Sequence, residues 1–245
     1  MILDHSNHTG SRQPERRILR ALIAAVLLLA GGCALLPQPE VLEPAESQPP
    51  EAMLAPESAT HYRITKADLE IHTYRAGWLS HLAHNHIMET DQIRGSVHLA
   101  EPIEDSTAHL YFRPWDLELD DPDARDAAGT GFESERTAED IAATRTRMLG
   151  PKGFDSNKHP WVVIAVRWKD RNAAGLLIEF RDGSYAFDVP LQWSFEAGVL
   201  TAAADFELSH RALGIRPYSA FAGAIAVADP IRIQLTLSAR PDSSI

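Results

Sequence analysis

From Tyr185 to Phe195 hydrophobic and polar positions alternate without a break. Tyr185, Phe187, Val189, Leu191, Trp193 and Phe195 fall on one parity; Ala186, Asp188, Pro190, Gln192 and Ser194 fall on the other. A strand sends alternate side chains to opposite faces, so the pattern predicts one long strand with a dry face and a wet face. Pro190 has no N–H to donate and is expected at a bulge or at a ladder position that needs no donor. So large a dry row requires a cover: a second layer, a closed barrel, or a greasy ligand inside that barrel.

The same period recurs along the chain. His61 to Ile64 and Asp68 to Arg75 read as strand material, with Leu69, Ile71 and Thr73 on one parity. Further strands are predicted over Ile93 to Leu99, Ala108 to Arg113 (with an extension through Leu117 and Leu119), Val162 to Trp168, Leu176 to Phe180, Leu200 to Leu208 and Ile231 to Ala239. Asp182-Gly183 predicts a hairpin turn into the Tyr185 strand, and Ala197-Gly198 a turn out of it. Asp120 to Phe132 reads as a loop rich in Asp, Gly and Ala, and the acidic stretch Asp116 to Asp126 as solvated, without the ligand spacing of a calcium loop. The period changes over Thr137 to Leu149, where Thr137 and Asp140 form a capping pair, Gly150-Pro151 is a stop, and Ile141, Thr144, Met148 and Leu149 mark a buried face. Ser209 to Phe221 is an irregular crossing. The fold class predicted is all-β with one inserted helix: an antiparallel, about eight-stranded, lipocalin-like up-and-down β-barrel. A flat sandwich is the competing architecture. Gly95, Ala202 and Ala204 lie on the inward parity and are expected to leave space there.

Composition changes the picture mainly at the start of the chain. Arg16, Arg17 and Arg20 precede an apolar run from Ala21 to Leu29, followed by Ala30, Gly31, Gly32 and Cys33. This is the pattern of a secretory signal peptide, too short to span a bilayer. Cys33 is the single cysteine, so no intrachain disulfide is possible, and its setting resembles a bacterial lipobox. The expected organisation is a lipoprotein signal peptide over residues 1–32, a Pro/Glu/Ser/Ala-rich flexible tether over 33–60, and one domain over 61–240. Lipidation at Cys33 would attach the protein to the membrane on the periplasmic side of the bacterial envelope. Cleavage before Cys33 removes four of the 23 basic and two of the 34 acidic residues, leaving a net charge of −13. Such a charge repels nucleic acid and anionic membrane, so attachment would fall to the lipid.

Three blocks carry a family resemblance. Phe154-Asp155-Ser156-Asn157-Lys158-His159-Pro160 leads into Trp161-Val162-Val163-Ile164. Phe206 to Ile215 includes Arg211 and ends in Gly214-Ile215. Ile225 to Leu237 holds Asp229 in its middle. With Tyr62-Arg63-Ile64 and Gly95-Ser96-Val97, their order resembles the YceI-like family of periplasmic proteins over about His61 to Ala239. The resemblance implies a lipocalin-like barrel in the cell envelope, an apolar tunnel for polyisoprenoid chains, and no general catalytic activity. A lipoprotein form and a histidine cluster set this chain apart from many members.

The candidate ligand contacts follow from inward parity. Val97, Phe112, Ile164, Val166 and Trp168 come from the first half of the barrel. Phe187, Leu191, Trp193, Ala202, Ala204 and Phe206 come from the second. Ordinary core packing is the alternative role for each, since interior barrel residues do both jobs. Arg211 and Tyr218, in the irregular crossing, are candidates to meet a quinone or phosphate head, or to order the loop by hydrogen bonds. His81, His84 and His86 form a cluster that offers a zinc, copper or haem site, with His72, His98 and His109 as further ligands or a second shell. The alternative is that these rings bond backbone at the barrel mouth. Ser80, Ser209 and Ser219 sit near histidines, but no G-x-S-x-G and no α/β pattern supports a hydrolase. The function expected is that of a non-enzymatic, lipid-anchored envelope protein. It binds or carries an isoprenoid- or quinone-type ligand, with no nucleic-acid partner. The alternative is a metal- or haem-binding envelope protein using the histidine cluster.

Overall fold

The alternating runs become long strands. The computed structural model of the protein describes residues 47–50 and 59–242. The expected signal segment, Cys33 and most of the tether lie outside the described residues. Strand β1 (Thr60–Ala76) joins the two runs read at the start of the domain. It is followed by β2 (His86–Thr90), β3 (Arg94–Leu99), β4 (Thr107–Phe112) and β5 (Glu118–Leu119). After two helices come β6 (Val162–Trp168), β7 (Ala173–Phe180), β8 (Gly183–Pro190), β9 (Gln192–Glu196) and β10 (Val199–Ser209). The short β11 (Ser219–Ala220) and the long β12 (Ile225–Pro241) close the order.

Every pairing is antiparallel. The sheet runs β8-β7-β6-β4-β3-β1-β12-β10-β9 and curls into a half-barrel. Its two end strands, β8 and β9, are successive in the chain and joined by Leu191 alone. The predicted single strand from Tyr185 to Phe195 is therefore two strands that face different partners. β8 pairs with β7, down to Pro190 opposite Ala173. Leu191 then donates its N–H to the Asn172 carbonyl at 2.8 Å, and β9 pairs with β10. Pro190 sits at the switch, where a missing donor breaks no ladder. The dry row also thins along this run: Val189 and Leu191 are buried, whereas Phe195 is 46% exposed and makes a T-shaped contact with Tyr62.

Two further expectations are corrected. Residues 120–132 are not all loop but carry helix α1 (Pro122–Ala128), capped by the Asp121 carboxylate, which accepts from the Asp123 and Ala124 N–H groups. Gly95 does not widen the interior. A Cβ there would lie 1.9 Å from the His109 carbonyl oxygen, and φ is +140°, so glycine permits a tight β3–β4 approach. Helix α2 (Ala138–Leu149) forms where its period and caps predict. Thr137 and Asp140 make the reciprocal capping box, and Leu149 is buried.

The strand directions place the connections 77–85, 113–161, 181–182 and 210–218 at one end of the sheet. The opposite end is a packed floor, where Tyr62, Val97, Leu200 and Ala239 are at most 5% exposed. Among the described residues, no helix is long and apolar enough to cross a membrane.

Candidate functional site

Between the curled sheet and α2 lies a cavity of about 1430 Å³. Its walls come from the inward parity of successive strands. Leu69, Ile71 and Thr73 line it from β1, Phe112 from β4, and Ile164, Val166 and Trp168 from β6. Ala202, Ala204, Phe206 and Leu208 line it from β10, and Ile231, Ile233, Leu235 and Leu237 from β12. Several of these, including Ile164, Phe206, Ile233 and Leu235, pack against the buried core yet keep part of their surface open. Side chains on two sides of Ala202 and Ala204 are large, and the two alanines leave the space between them. The volume exceeds the roughly 300–1,000 Å³ of drug-sized pockets and suits a larger ligand.

α2 forms the roof. Arg145 holds it down, donating to the Leu117 carbonyl and, at 2.6 Å, to the Trp115 carbonyl. Thr144 and Met148 face the cavity, as does Arg147, whose guanidinium lies 5.4 Å from the centre of the Tyr218 ring. Beside the roof, Phe154 meets Phe180 edge to face at 5.4 Å. The crossing after β10 is tied to β12 through Asp229, which accepts from the Ser209 hydroxyl at 2.7 Å and the Arg211 N–H at 3.1 Å. Those bonds hold its carboxyl below the ordinary range, the Ser209 hydrogen bond contributing most.

Of the residues predicted to meet a ligand, Phe112, Ile164, Val166, Trp168, Leu191, Ala202, Ala204, Phe206 and Tyr218 line this cavity. Val97 does not; it is fully buried in the floor. Phe187 and Trp193 pack against the core outside the lining. Arg211 points away into solvent and pairs with Asp229 at 3.4 Å, which makes it a loop-ordering group. Ser209 is likewise engaged with Asp229 and has no histidine on its hydroxyl.

The three histidines of the cluster have different surroundings. His81 is exposed on the turn before β2, while His84 and His86 lie on the cavity lining. His86 is committed through Nδ1 to the Asp120 carboxylate at 2.6 Å. Among the described residues, no group of three His, Cys, Asp or Glu side chains is placed to hold a metal ion. Of the histidines considered as extra ligands, His72 bonds Glu70 at 3.0 Å and His98 stacks on His61 at 4.8 Å. His109 is buried beside Tyr111. Burial, then the Arg136 charge, depresses the His84 pKa, so the ring favours its neutral form.

The sequence reading missed the network behind His86. The Asp120 side chain is fully buried and also accepts from Arg125 at 2.7 Å and from the Ile87 N–H at 3.1 Å. Arg125 donates further to the carbonyls of Asn85, Phe132 and Ser134. Burial pushes the Asp120 carboxyl up, but the His86 hydrogen bond and charge, the Ile87 N–H and Arg125 together bring it below its ordinary value. The helical signal Asp-Pro-Asp at 121–123 was present in the sequence; the burial of Arg125 was not.

No family model and no curated protein sequence matches the chain. In structure it is similar to BcnA of Burkholderia cenocepacia, with 9% identity and a TM-score of 0.47 over 70% of this chain and 95% of that one. It is also similar to the YceI protein of Campylobacter jejuni. A mutant of that protein with a monobromobimane guest gives 6% identity and a TM-score of 0.46. A structure of that protein that crystallizes with large solvent channels gives 7% and 0.43, and both likenesses span 64% of this chain and 85% of that one.

Proposed function

We propose that the protein binds a long apolar chain of the isoprenoid or prenyl-quinone type inside the half-barrel and acts as a binding or carrier protein rather than an enzyme. The single observation that carries this reading is the cavity of about 1430 Å³ walled by aliphatic and aromatic side chains from β1, β4, β6, β10 and β12. Each CH₂ withdrawn from water contributes about 0.8 kcal/mol, so a chain of many carbons is held by area and shape with few polar contacts. The proposal includes attachment to the periplasmic side of the envelope through a diacylglyceryl group on Cys33. The alternative metal reading has less support, because among the described residues no group of three His, Cys, Asp or Glu side chains is placed to hold a metal ion.

One experiment addresses both parts. Mass spectrometry of the protein extracted from its own envelope, first native and then denatured, separates non-covalent cargo from covalent lipid. The expected result is an isoprenoid mass lost on denaturation and a diacylglyceryl mass that remains on a peptide beginning at Cys33. A protein that carries neither mass overturns the proposal.

A further inference from the structure

Six large apolar side chains stand out into solvent among the described residues, and four of them lie together. Trp78 and Phe221 are each 79% exposed, Leu82 59% and Tyr218 50%; the other two are Leu177 and Phe195. The four sit on two loops, 77–85 and 218–224, that are bound to one another. Leu79 donates its N–H to the Ala224 carbonyl at 2.8 Å, and Ala76 pairs with Ala226. Gly77 makes the approach possible: a Cβ there would lie 2.5 Å from the Gly223 oxygen and 2.4 Å from that of Ala224. Phe221 and Ala222 have φ of +49° and +53°, a sparsely populated conformation for residues with side chains. The turn thus holds Phe221 outward at a conformational cost. Leu82 and Tyr218 also belong to the cavity lining, so the exposed patch is continuous with the cavity's opening.

Among the charged side chains that line the cavity, the balance is the reverse of the chain's average. The cavity lining contains Arg136, Arg147, Lys152, Arg181 and Arg216 against the one carboxylate of Asp140, in a chain with 23 basic and 34 acidic residues. All five cations lie on α2 or on connections at the same end of the sheet. Aromatic side chains at the apolar–polar boundary with cations beside them match the layered chemistry of a lipid surface, whose phosphates lie outside its acyl chains. We infer that this end of the half-barrel is a membrane-docking surface. Trp78, Leu82, Tyr218 and Phe221 enter the interfacial layer of a phospholipid bilayer, and the surrounding cations meet its phosphates. The inference builds on the cavity reading, because a seated mouth lets an apolar chain pass from bilayer to cavity without crossing water.

The test places an environment-sensitive fluorophore at the patch in the full chain. Cys33→Ser combined with Phe221→Cys gives one labelling site, and Cys33→Ser with Trp78→Cys gives a second, independent one. A control label at Leu177→Cys reports an outward position on β7, a strand paired along both edges. Vesicles of phosphatidylcholine and phosphatidylglycerol, with no isoprenoid present, should shift the emission at 221 and 78 to the blue and leave 177 unchanged. Trp78→Ser should weaken the vesicle response at 221 about tenfold, the effect of keeping one aromatic out of the lipid, and raised salt should weaken it further. Attachment through another part of the chain would not immerse residue 221. Labels that stay water-like at saturating vesicles, or three labels that respond alike, would overturn the inference. So would a blue shift at 221 that grows with protein concentration without vesicles, since a second copy would then be the occupant. A protein that immerses residue 221 but carries no isoprenoid keeps the docking surface and loses the cavity reading. One that carries isoprenoid but leaves residue 221 in water keeps the cavity and loses the docking surface.

Discussion

Asp120 is the residue on which one wall of the cavity depends. Its carboxylate, which has no solvent exposure, joins β2 through His86 and Ile87 to α1 through Arg125. Arg125 in turn fixes the carbonyls of Phe132 and Ser134, so the pair anchors the 120–134 segment beside the buried Phe132 ring. Asp120→Ala leaves the Arg125 guanidinium buried without its counter-charge. The expected loss is about 3–5 kcal/mol, read by urea denaturation, and adding Arg125→Met should restore part of it. A loss under about 1 kcal/mol would show that water reaches the pair. Titration adds a second prediction. Burial depresses the pKa values of His98 and His109, and burial with the Arg136 charge depresses that of His84. The unfolded chain therefore takes up these protons first, and stability, complete above about pH 6.5, declines as pH falls toward the folded values. The melting temperature should drop between about pH 7 and pH 5, less so in His98→Gln. A flat profile over that window would contradict the assignment of these rings as buried and neutral.

At the scale of elements, the capped helix was legible and its role was not. Thr137, Asp140 and Gly150 define α2 in the sequence, and the structure realises each of them. That the helix roofs a cavity depends on Arg145 reaching the Leu117 and Trp115 carbonyls some 30 residues away, which no local pattern displays. Thr137→Ala should cost about 1 kcal/mol, visible as a lower urea midpoint with an unchanged slope. The strand pattern was also legible, since parity follows from the pleat alone. It did not show where a run changes partner. Tyr185 to Phe195 reads as continuous because alternation persists through Pro190 and Leu191, while its ladder passes from β7 to β10. Nor did parity separate Ala202 and Ala204, which leave space, from Gly95, whose missing side chain serves a close backbone approach. The histidine spacing was misleading for a related reason. One of the three rings is exposed, one faces the cavity unpaired, and one is bound to a carboxylate 34 positions along the chain.

For the whole molecule, the central claim is that the half-barrel surrounds space and not a solid core, and that the space holds a long apolar chain. Ala204→Trp tests it most directly. Ala204 faces Leu235 across the β10–β12 ladder, and both line the cavity. An indole added there enters the open volume. The account predicts a melting temperature within a few degrees of the parent, because nothing is displaced. It also predicts at least a tenfold loss of affinity for a long-chain prenyl quinone, since the indole fills space that the chain's CH₂ groups would occupy at about 0.8 kcal/mol each. A variant destabilised by the roughly 1–3 kcal/mol typical of an overpacked core, or one that binds the quinone as the parent does, would contradict the claim.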